Sequence, residues 1–211
     1  MTIKPTANQH GVAMIAVLVL TLLASVVTLG GLRLLISDQR ITANNADHQR
    51  TMAAAQALLN DAERDIACTE CRTAADGRYP LSAIELTQLQ HGMNSHTLPC
   101  VHGLCAPGSA KALTDAFWSA LTPQSPAWSS GASYGQFTGA RDSTELSLAA
   151  QANHARYWVE VFTDASWAPP ASSGDSATDL IPMRYRVTAI ALGHQPATRV
   201  VLQTLLVRVS P

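Results

Sequence analysis

The pattern of hydrophobic and polar positions changes sharply near the start of the chain. Residues 12–32 form one uncharged stretch in which 16 of 21 residues are Ala, Val, Ile, Leu or Met, and the next charged residue is Arg33. At ~1.5 Å per residue a helix of this length extends about 31 Å, enough to cross the hydrocarbon core of a bilayer. The stretch is longer than the ~7–15-residue apolar region of a secretory signal. It therefore predicts a transmembrane helix that stays on the mature protein.

A second helical pattern follows without an intervening proline. Between residues 33 and 66, apolar residues recur at three- and four-residue steps, which predicts an amphipathic helix with one apolar stripe facing a core. The simplest interpretation is a single long helix, with its first half in lipid and its second half on a folded domain. The polar residues between the apolar positions are Asp38, Arg40, Asn44, Asp47, Arg50, Asp61, Glu63 and Arg64.

The last third of the chain has the alternating pattern of strands. Residues 156–163, 183–192 and 199–209 are rich in β-branched and aromatic residues, and Gly193-His194-Gln195-Pro196 between the last two predicts a hairpin turn. These runs predict an antiparallel sheet of three or more strands, one face of which covers the amphipathic helix. The predicted fold class is therefore α+β.

The middle of the chain is punctuated by Gly and Pro, and we expect it to be rich in loops. A short helix is predicted over residues 82–90, where Ser82 and Glu85 have the spacing of a capping box. Another is predicted over residues 110–121. We expect Trp118 and Trp128 to pack over the sheet.

The four cysteines have two local spacings, C-x2-C at Cys68 and Cys71 and C-x4-C at Cys100 and Cys105. In an exported domain they predict a disulfide framework with three connectivities, of which proximity along the chain favours Cys68–Cys71 and Cys100–Cys105. In the cytosol the same four residues would resemble a zinc site. The loop histidines His91, His96 and His102 keep the zinc alternative open. The apolar stretch upstream favours export, and hence disulfides.

Composition and motifs exclude several classes of function. The net charge is −1, only 14% of residues are charged, and no basic run is present, so nucleic acid is not an expected partner. The sequence has no nucleophile-elbow, zinc-protease, P-loop or dinucleotide motif. The C-x-x-C pair follows the end of a predicted helix, where the helix dipole would not activate a thiolate. We therefore predict a protein that is not an enzyme, with no cofactor, no metal and no small-molecule substrate.

Three segments resemble the PilX-type minor pilins of the type IV pilus, within the type IV pilin and pseudopilin superfamily. Gln9-His10-Gly11-Val12-Ala13-Met14 and the apolar residues after it resemble the class III signal of pilins. Residues 53–63, A-A-A-Q-A-L-L-N-D-A-E, resemble a segment of the PilX-type helix. Residues 183–189 and 200–204, with Gly103-Leu104-Cys105, resemble parts of the same family's C-terminal region.

The resemblance implies how the chain is divided and processed. Residues 1–11 would be a leader peptide, 12–32 a transmembrane and assembly helix, 33–66 its amphipathic continuation, and 67–211 a periplasmic domain. A prepilin peptidase would cut between Gly11 and Val12 and methylate the new amino group of Val12. Ala16 stands where major pilins carry a Glu that is thought to contact a neighbouring subunit. A subunit without that carboxylate fits best at the tip of a filament.

The implied function is structural. The chain would join other minor pilins in an inner-membrane complex that primes pilus assembly, and then lie at or near the tip, where a large adhesin is a further expected partner. Twitching motility and cell adhesion are the processes that such a pilus serves. Two alternatives remain open: the tip pseudopilin of a type II secretion system, and an uncleaved, membrane-anchored periplasmic domain that binds a ligand or zinc.

Overall fold

A computed structural model describes residues 9–68, 70–73, 75–105, 113, 115–140, 154–163 and 183–208. The chain divides into two compact units, residues 1–46 and 47–211. Helix α1, Gln9–Ala67, is one continuous α-helix of 59 residues that begins in the first unit and ends in the second. The leader residues 1–8 lie outside the described residues.

In the first unit, the described residues belong to α1. Residues 12–31 are exposed along their whole length, and the span Val12–Gly31 is long and apolar enough to cross a membrane. An exposed helix with this composition cannot be stable in water, because large apolar side chains are driven out of contact with it. Such a composition over residues 12–31 is typical of helices that are surrounded by lipid or by other apolar helices.

The second unit combines the rest of α1 with three short helices and a sheet. The elements after α1 are α2 (Ala83–Asn94), β1 (Cys100–Val101), β2 (Leu104–Cys105), α3 (Asp115–Ser119), α4 (Pro126–Ser129), β3 (Ala155–Thr163), β4 (Met183–Leu192) and β5 (Arg199–Arg208). The capping box predicted for α2 is present in part: the Ser82 hydroxyl accepts from the Glu85 N–H, whereas the Glu85 carboxylate accepts from the N–H of Leu81, one residue before the N-cap, at 2.7 Å.

The five strands form one sheet in the order β1-β2-β3-β4-β5. The pairs β3–β4 and β4–β5 are antiparallel and almost fully in register, as the alternating sequence predicts. The alternating sequence pattern does not predict β1 and β2. They are strands of two residues each and pair as an antiparallel hairpin. Strand β2 then pairs with β3 in parallel, with Leu104 opposite Val159. The α+β class and the sheet of at least three strands are confirmed.

The sheet has a different core on each face. One face carries Tyr157, Val159, Tyr185 and Val187, and packs with Leu58 and the other apolar residues of α1. The other face carries Trp158, which meets Trp128 and Trp118 edge to face at ring-centroid distances of 5.7 and 6.0 Å. Both expected tryptophans therefore lie against the sheet. In the region of the predicted 110–121 helix the structure describes only α3, and residues 106–112 and 114 lie outside the described residues.

Candidate assembly segment and the polar contacts that anchor its helix

The assembly segment is the exposed part of α1, residues 12–31, and its polar side chains are satisfied within the helix itself. The Thr21 hydroxyl donates to the Leu18 carbonyl at 2.9 Å, and the Ser25 hydroxyl donates to the Thr21 carbonyl at 2.7 Å. Thr28 donates in the same way to the carbonyl of Ala24. A hydroxyl bonded to its own backbone enters hydrocarbon without an unpaired donor. The segment can therefore enter lipid or an apolar filament core without polar partners.

The residues predicted for processing and assembly lie at the start of this segment. Gly11 is inside α1, and Val12 is 70% exposed. Ala16 lies about one helical turn further on and is also exposed. Neither Val12 nor Ala16 contributes to the core of this chain. Their roles in cleavage and subunit contact remain predictions.

Small residues in the segment have no steric role within the monomer. A Cβ built on Gly30 or Gly31 would meet no atom within 4 Å. At ~100° per residue, Ala13, Ala24 and Gly31 lie within about 20° of one another around the helix. Small residues on one face are the arrangement that lets two apolar helices approach closely.

Three carboxylates on the domain part of α1 are buried, although the polar pattern predicts exposed positions there. Asp47, Asp61 and Asp65 are 5%, 2% and 0% exposed. The sequence pattern put Asp47 and Asp61 among the polar positions of an amphipathic helix, and it gave Asp65 no role. The direction in which two of these side chains point around the helix axis indicates their burial. At ~100° per residue, Asp47 and Asp65 point the same way as the fully buried Leu58, to within about 20°.

Asp65 is the centre of a buried polar cluster at the end of α1. Its carboxylate accepts from the Arg72 guanidinium at 2.6 Å, from the Tyr79 hydroxyl at 2.8 Å and from the Tyr157 hydroxyl at 2.9 Å. Burial raises the pKa of both tyrosines, and the neighbouring carboxylate adds to the effect, so both remain neutral donors. The cluster ties α1 to β3 and to the loop after α1.

Arg72 extends this cluster beyond Asp65. Its guanidinium lies 3.7 Å from the centroid of the Phe137 ring and donates to the carbonyl of His102 at 3.1 Å. Burial lowers the pKa of Arg72, but Tyr79 and Asp65 outweigh burial, and the pKa lies above its usual value. Arg72 therefore stays charged while only 3% exposed, because its partners compensate for the lost hydration.

The other two carboxylates hold loops. The Asp61 carboxylate accepts from the Thr138 hydroxyl and from the Gly135 N–H, and burial raises its pKa although these bonds oppose the rise. The Asp47 carboxylate accepts from the N–H groups of His194 and Gln195, at the tip of the β4–β5 hairpin. Burial raises the pKa of Asp47, but these bonds outweigh burial and the pKa lies below its usual value.

Gly193 is required at the hairpin because Asp47 lies against it. A Cβ there would come within 2.4 Å of the Asp47 carboxylate. The predicted hairpin sequence therefore has a second function: it brings backbone donors to a side chain on α1.

The structure joins the cysteines in the local pairs, Cys68–Cys71 and Cys100–Cys105. The two disulfides have different surroundings. Cys100 and Cys105 are 1% and 0% exposed and lie in the tryptophan cluster, whereas Cys68 and Cys71 are partly exposed directly after α1. Within the described residues, no three His, Cys, Asp or Glu side chains converge as a metal site. His91, His96 and His102 are exposed at separate places in the middle of the chain.

An exposed apolar helix that runs into an α+β domain is the architecture typical of a pilin-like fold. The family model described as "Type IV pilus assembly protein PilX C-term" matches residues 68–208, about two thirds of the chain. The chain therefore belongs to the PilX family, and its role is in type IV pilus assembly. Comparison with curated proteins and with solved structures finds no match.

Proposed function

We propose that this chain is a minor pilin, made as a precursor with leader 1–11, anchored in the inner membrane through residues 12–32, and carrying residues 67–211 in the periplasm. The observation that carries the proposal is the exposed apolar segment 12–31 in a chain of the PilX family. Its hydroxyls are internally bonded, and the segment has no partner among the described residues. Such a helix can leave lipid for the apolar centre of a filament.

Within this proposal, the helix face that contains Ala13, Ala24 and Gly31 packs against other pilin helices. Other minor pilins are the partners, and together they prime the assembly of the filament. The two disulfides suit a domain that functions outside the cytoplasm.

Ala16 supports a position at or near the tip. A carboxylate in the apolar core of a bilayer or filament is costly unless it is paired, so it is retained where a neighbour supplies the partner charge. Ala16 makes no such pair. A subunit that needs no charged contact at this position suits the end of the filament, where no further subunit follows. A large adhesin would then be an adjacent partner, and motility and adhesion would be the processes served.

Processing is tested by co-expression with a prepilin peptidase, followed by intact mass measurement. We expect the wild type to lose residues 1–11 and to gain one methyl group on Val12. Gly11→Val should remain uncut, because a branched side chain replaces the small residue before the scissile bond. Gln9→Ala is the matched control and should be cut. A wild-type chain that keeps its full mass would overturn the proposal and favour an uncleaved anchor.

The tip position is tested by labelling an epitope-tagged chain on sheared pili. Label confined to one end of each filament is the expected result. Ala16→Glu should spread the label along the filament if the missing carboxylate restricts the subunit to the end, while the uncharged Ala16→Gln should not. Wild-type label along the whole length would contradict the tip position.

A further inference from the structure

Strand β5 forms one edge of the sheet, and among the residues that the structure describes it pairs only with β4. Residues 200–207, V-V-L-Q-T-L-L-V, contain no charged residue, no Pro and no Gly. Proteins usually protect a long edge strand with Lys, Pro or a bulge, because its free N–H and C=O groups can pair with another chain. This stretch has none of those protections, so its edge is a candidate interface.

The hydrogen-bond pattern shows which backbone groups face the free edge. The Gly193 N–H donates to the Thr198 carbonyl at 2.9 Å, so position 193 is hydrogen-bonded to position 198. Bonded and non-bonded pairs alternate along an antiparallel ladder. In the register of β4 and β5, residues 200, 202, 204 and 206 therefore bond to β4. The N–H and C=O groups of Val201, Gln203, Leu205 and Val207 point outward.

The same four residues carry exposed side chains. Val201, Leu205 and Val207 are 51%, 52% and 55% exposed, and they lie on the sheet face opposite α1. On the face toward α1, Leu202 and Leu206 are only partly buried. A groove of about 290 Å³ lies at the end of β5, and its lining is apolar except for Glu63 and the Tyr185 hydroxyl: Glu63, Ile66, Ala67, Tyr185, Leu206 and Val207. A strand added to this edge would therefore find apolar surface on both of its faces.

The sequence of this edge matches itself when it is reversed. About Thr204 as a centre, Val201 corresponds to Val207, and Leu202 corresponds to Leu206. Gln203 corresponds to Leu205, the one unlike pair between residues 201 and 207, and beyond them Val200 corresponds to Arg208. The outward-facing backbone groups are symmetric about the same residue. A two-fold axis at Thr204 would thus place every outward donor of one strand opposite an acceptor of the other, with about eight backbone hydrogen bonds, two for each bonded pair.

We propose that a second copy of this chain pairs with the β5 edge, antiparallel and centred on Thr204, so that the two sheets become one. Residue 201 of each copy lies opposite residue 207 of the other, and the two Thr204 residues lie opposite each other. No like charges meet across residues 200–207, because the stretch carries none. Leu202 of one copy lies beside Leu206 of the other, next to the groove. The proposal does not depend on cleavage at Gly11 or on a position in the filament.

The size of this contact predicts a weak dimer. Burying the exposed parts of the edge residues on both copies removes roughly 1,000 Å² in total, at the low end for specific association. A shared membrane raises the effective concentration of two anchored copies and compensates for a small interface. The test therefore uses the full chain in membranes, with covalent trapping in place of dilution methods.

Cysteine cross-linking tests the register directly in membranes of expressing cells under mild oxidation. Thr204→Cys should give a homodimer, because the Cα atoms of a non-bonded antiparallel pair are about 4.5 Å apart, within disulfide range. Val201→Cys and Val207→Cys are the matched controls. Each alone should stay monomeric, since the two copies of one such position lie about 20 Å apart. Co-expressed with different tags, these two variants should cross-link to each other.

A variant that removes one outward N–H tests whether the dimer depends on backbone hydrogen bonds at the β5 edge, while the pairing of β5 with β4 is kept. Leu205→Pro, added to Thr204→Cys, removes an outward N–H but no bond to β4, and should lower the cross-linked fraction about tenfold or more. Leu205→Thr keeps the N–H and should retain most of the dimer. An unchanged urea midpoint of the detergent-solubilised chain, followed by tryptophan fluorescence, verifies folding of both variants. A monomeric Thr204→Cys, a cross-link to a different protein, or a Val201→Cys homodimer of equal yield would each overturn the proposal.

Discussion

The two halves of α1 both carry many apolar side chains, but the first half exposes them and the second half buries them against the domain. Residues 12–31 expose all of their side chains and bond their few hydroxyls to their own backbone. From Asp47 onward the helix buries its apolar stripe and adds three carboxylates, each bound to a distant part of the chain. In the first half any apolar residue of suitable size serves, while in the second half particular atoms are required. The first half can therefore contact different neighbours, such as lipid or other helices. The second half fits only the sheet and loops of its own chain.

Removing the Asp65 charge should have the largest effect, because it leaves Arg72 buried without its partner. We expect Asp65→Asn to lower the free energy of unfolding by about 3–5 kcal/mol, the usual result of breaking a buried ion pair from one side. Urea unfolding of the detergent-solubilised full chain, followed by the fluorescence of the buried tryptophans, measures the change. Glu63→Gln, exposed on the same helix, should change it by less than about 0.5 kcal/mol. Equal effects would mean that the cluster adds no stability.

A charge in the exposed half should act on the membrane and leave the domain unchanged. Leu20→Lys puts an ammonium group near the centre of the apolar segment and should disfavour insertion by about 3–4 kcal/mol relative to Leu. Membrane fractionation should show loss of the chain from the membrane, whereas Leu20→Ile should fractionate like the wild type. If Leu20→Lys remained in the membrane, the segment would not need its apolar character.

The two disulfides extend the comparison into the domain. Loop-closure entropy alone assigns about 2 kcal/mol to each, because both loops are short. Replacing Cys100 and Cys105 by Ser also buries two hydroxyls in the tryptophan cluster, so this variant should lose roughly 1–3 kcal/mol more than the Cys68 and Cys71 double Ser variant. Urea unfolding compares the two. A dithiol should also reduce the partly exposed Cys68–Cys71 first, and the reverse order would contradict the burial argument.

The smallest effect should be a change in acid sensitivity at Asp47. The pKa of this carboxyl is lower in the fold than in the unfolded chain, so its contribution is complete above about pH 4 and is lost as pH falls through the folded pKa. Asp47→Asn should therefore lower stability slightly at neutral pH, where the wild-type contribution is complete, and flatten the stability curve below about pH 4 so that the two proteins converge in acid. Asp38→Asn, exposed on the same helix, is the control. An unchanged acid slope would mean that the hairpin contact does not depend on charge.

Sequence patterns predicted the parts of this fold that repeat locally. The apolar stretch, the three long strands and the Ser82 capping box each follow from a period of a few residues. The burial of Asp47, Asp61 and Asp65 could not be predicted from composition, because their partners Gly135, Tyr157 and His194 lie far along the chain. The one local signal was helical phase, since Asp47 and Asp65 point the same way as the buried Leu58 to within about 20°. β2 was missed because two residues are too few to show alternation. The local cysteine spacing indicated the pairs that the structure joins.

Gly103 has a consequence for the order in which the domain folds. It donates to the Ser130 carbonyl at 2.6 Å and accepts from the Val159 N–H at 2.7 Å, and an added Cβ would lie 2.6 Å from that of Ala132. Three chain segments thus converge on one residue, and the parallel pairing beside it joins positions about 55 residues apart, a costly loop to close. The β3–β4–β5 hairpins can form earlier. We expect β2 to dock last, so that a folding chain would form its three long strands before the β1–β2 hairpin pairs with them.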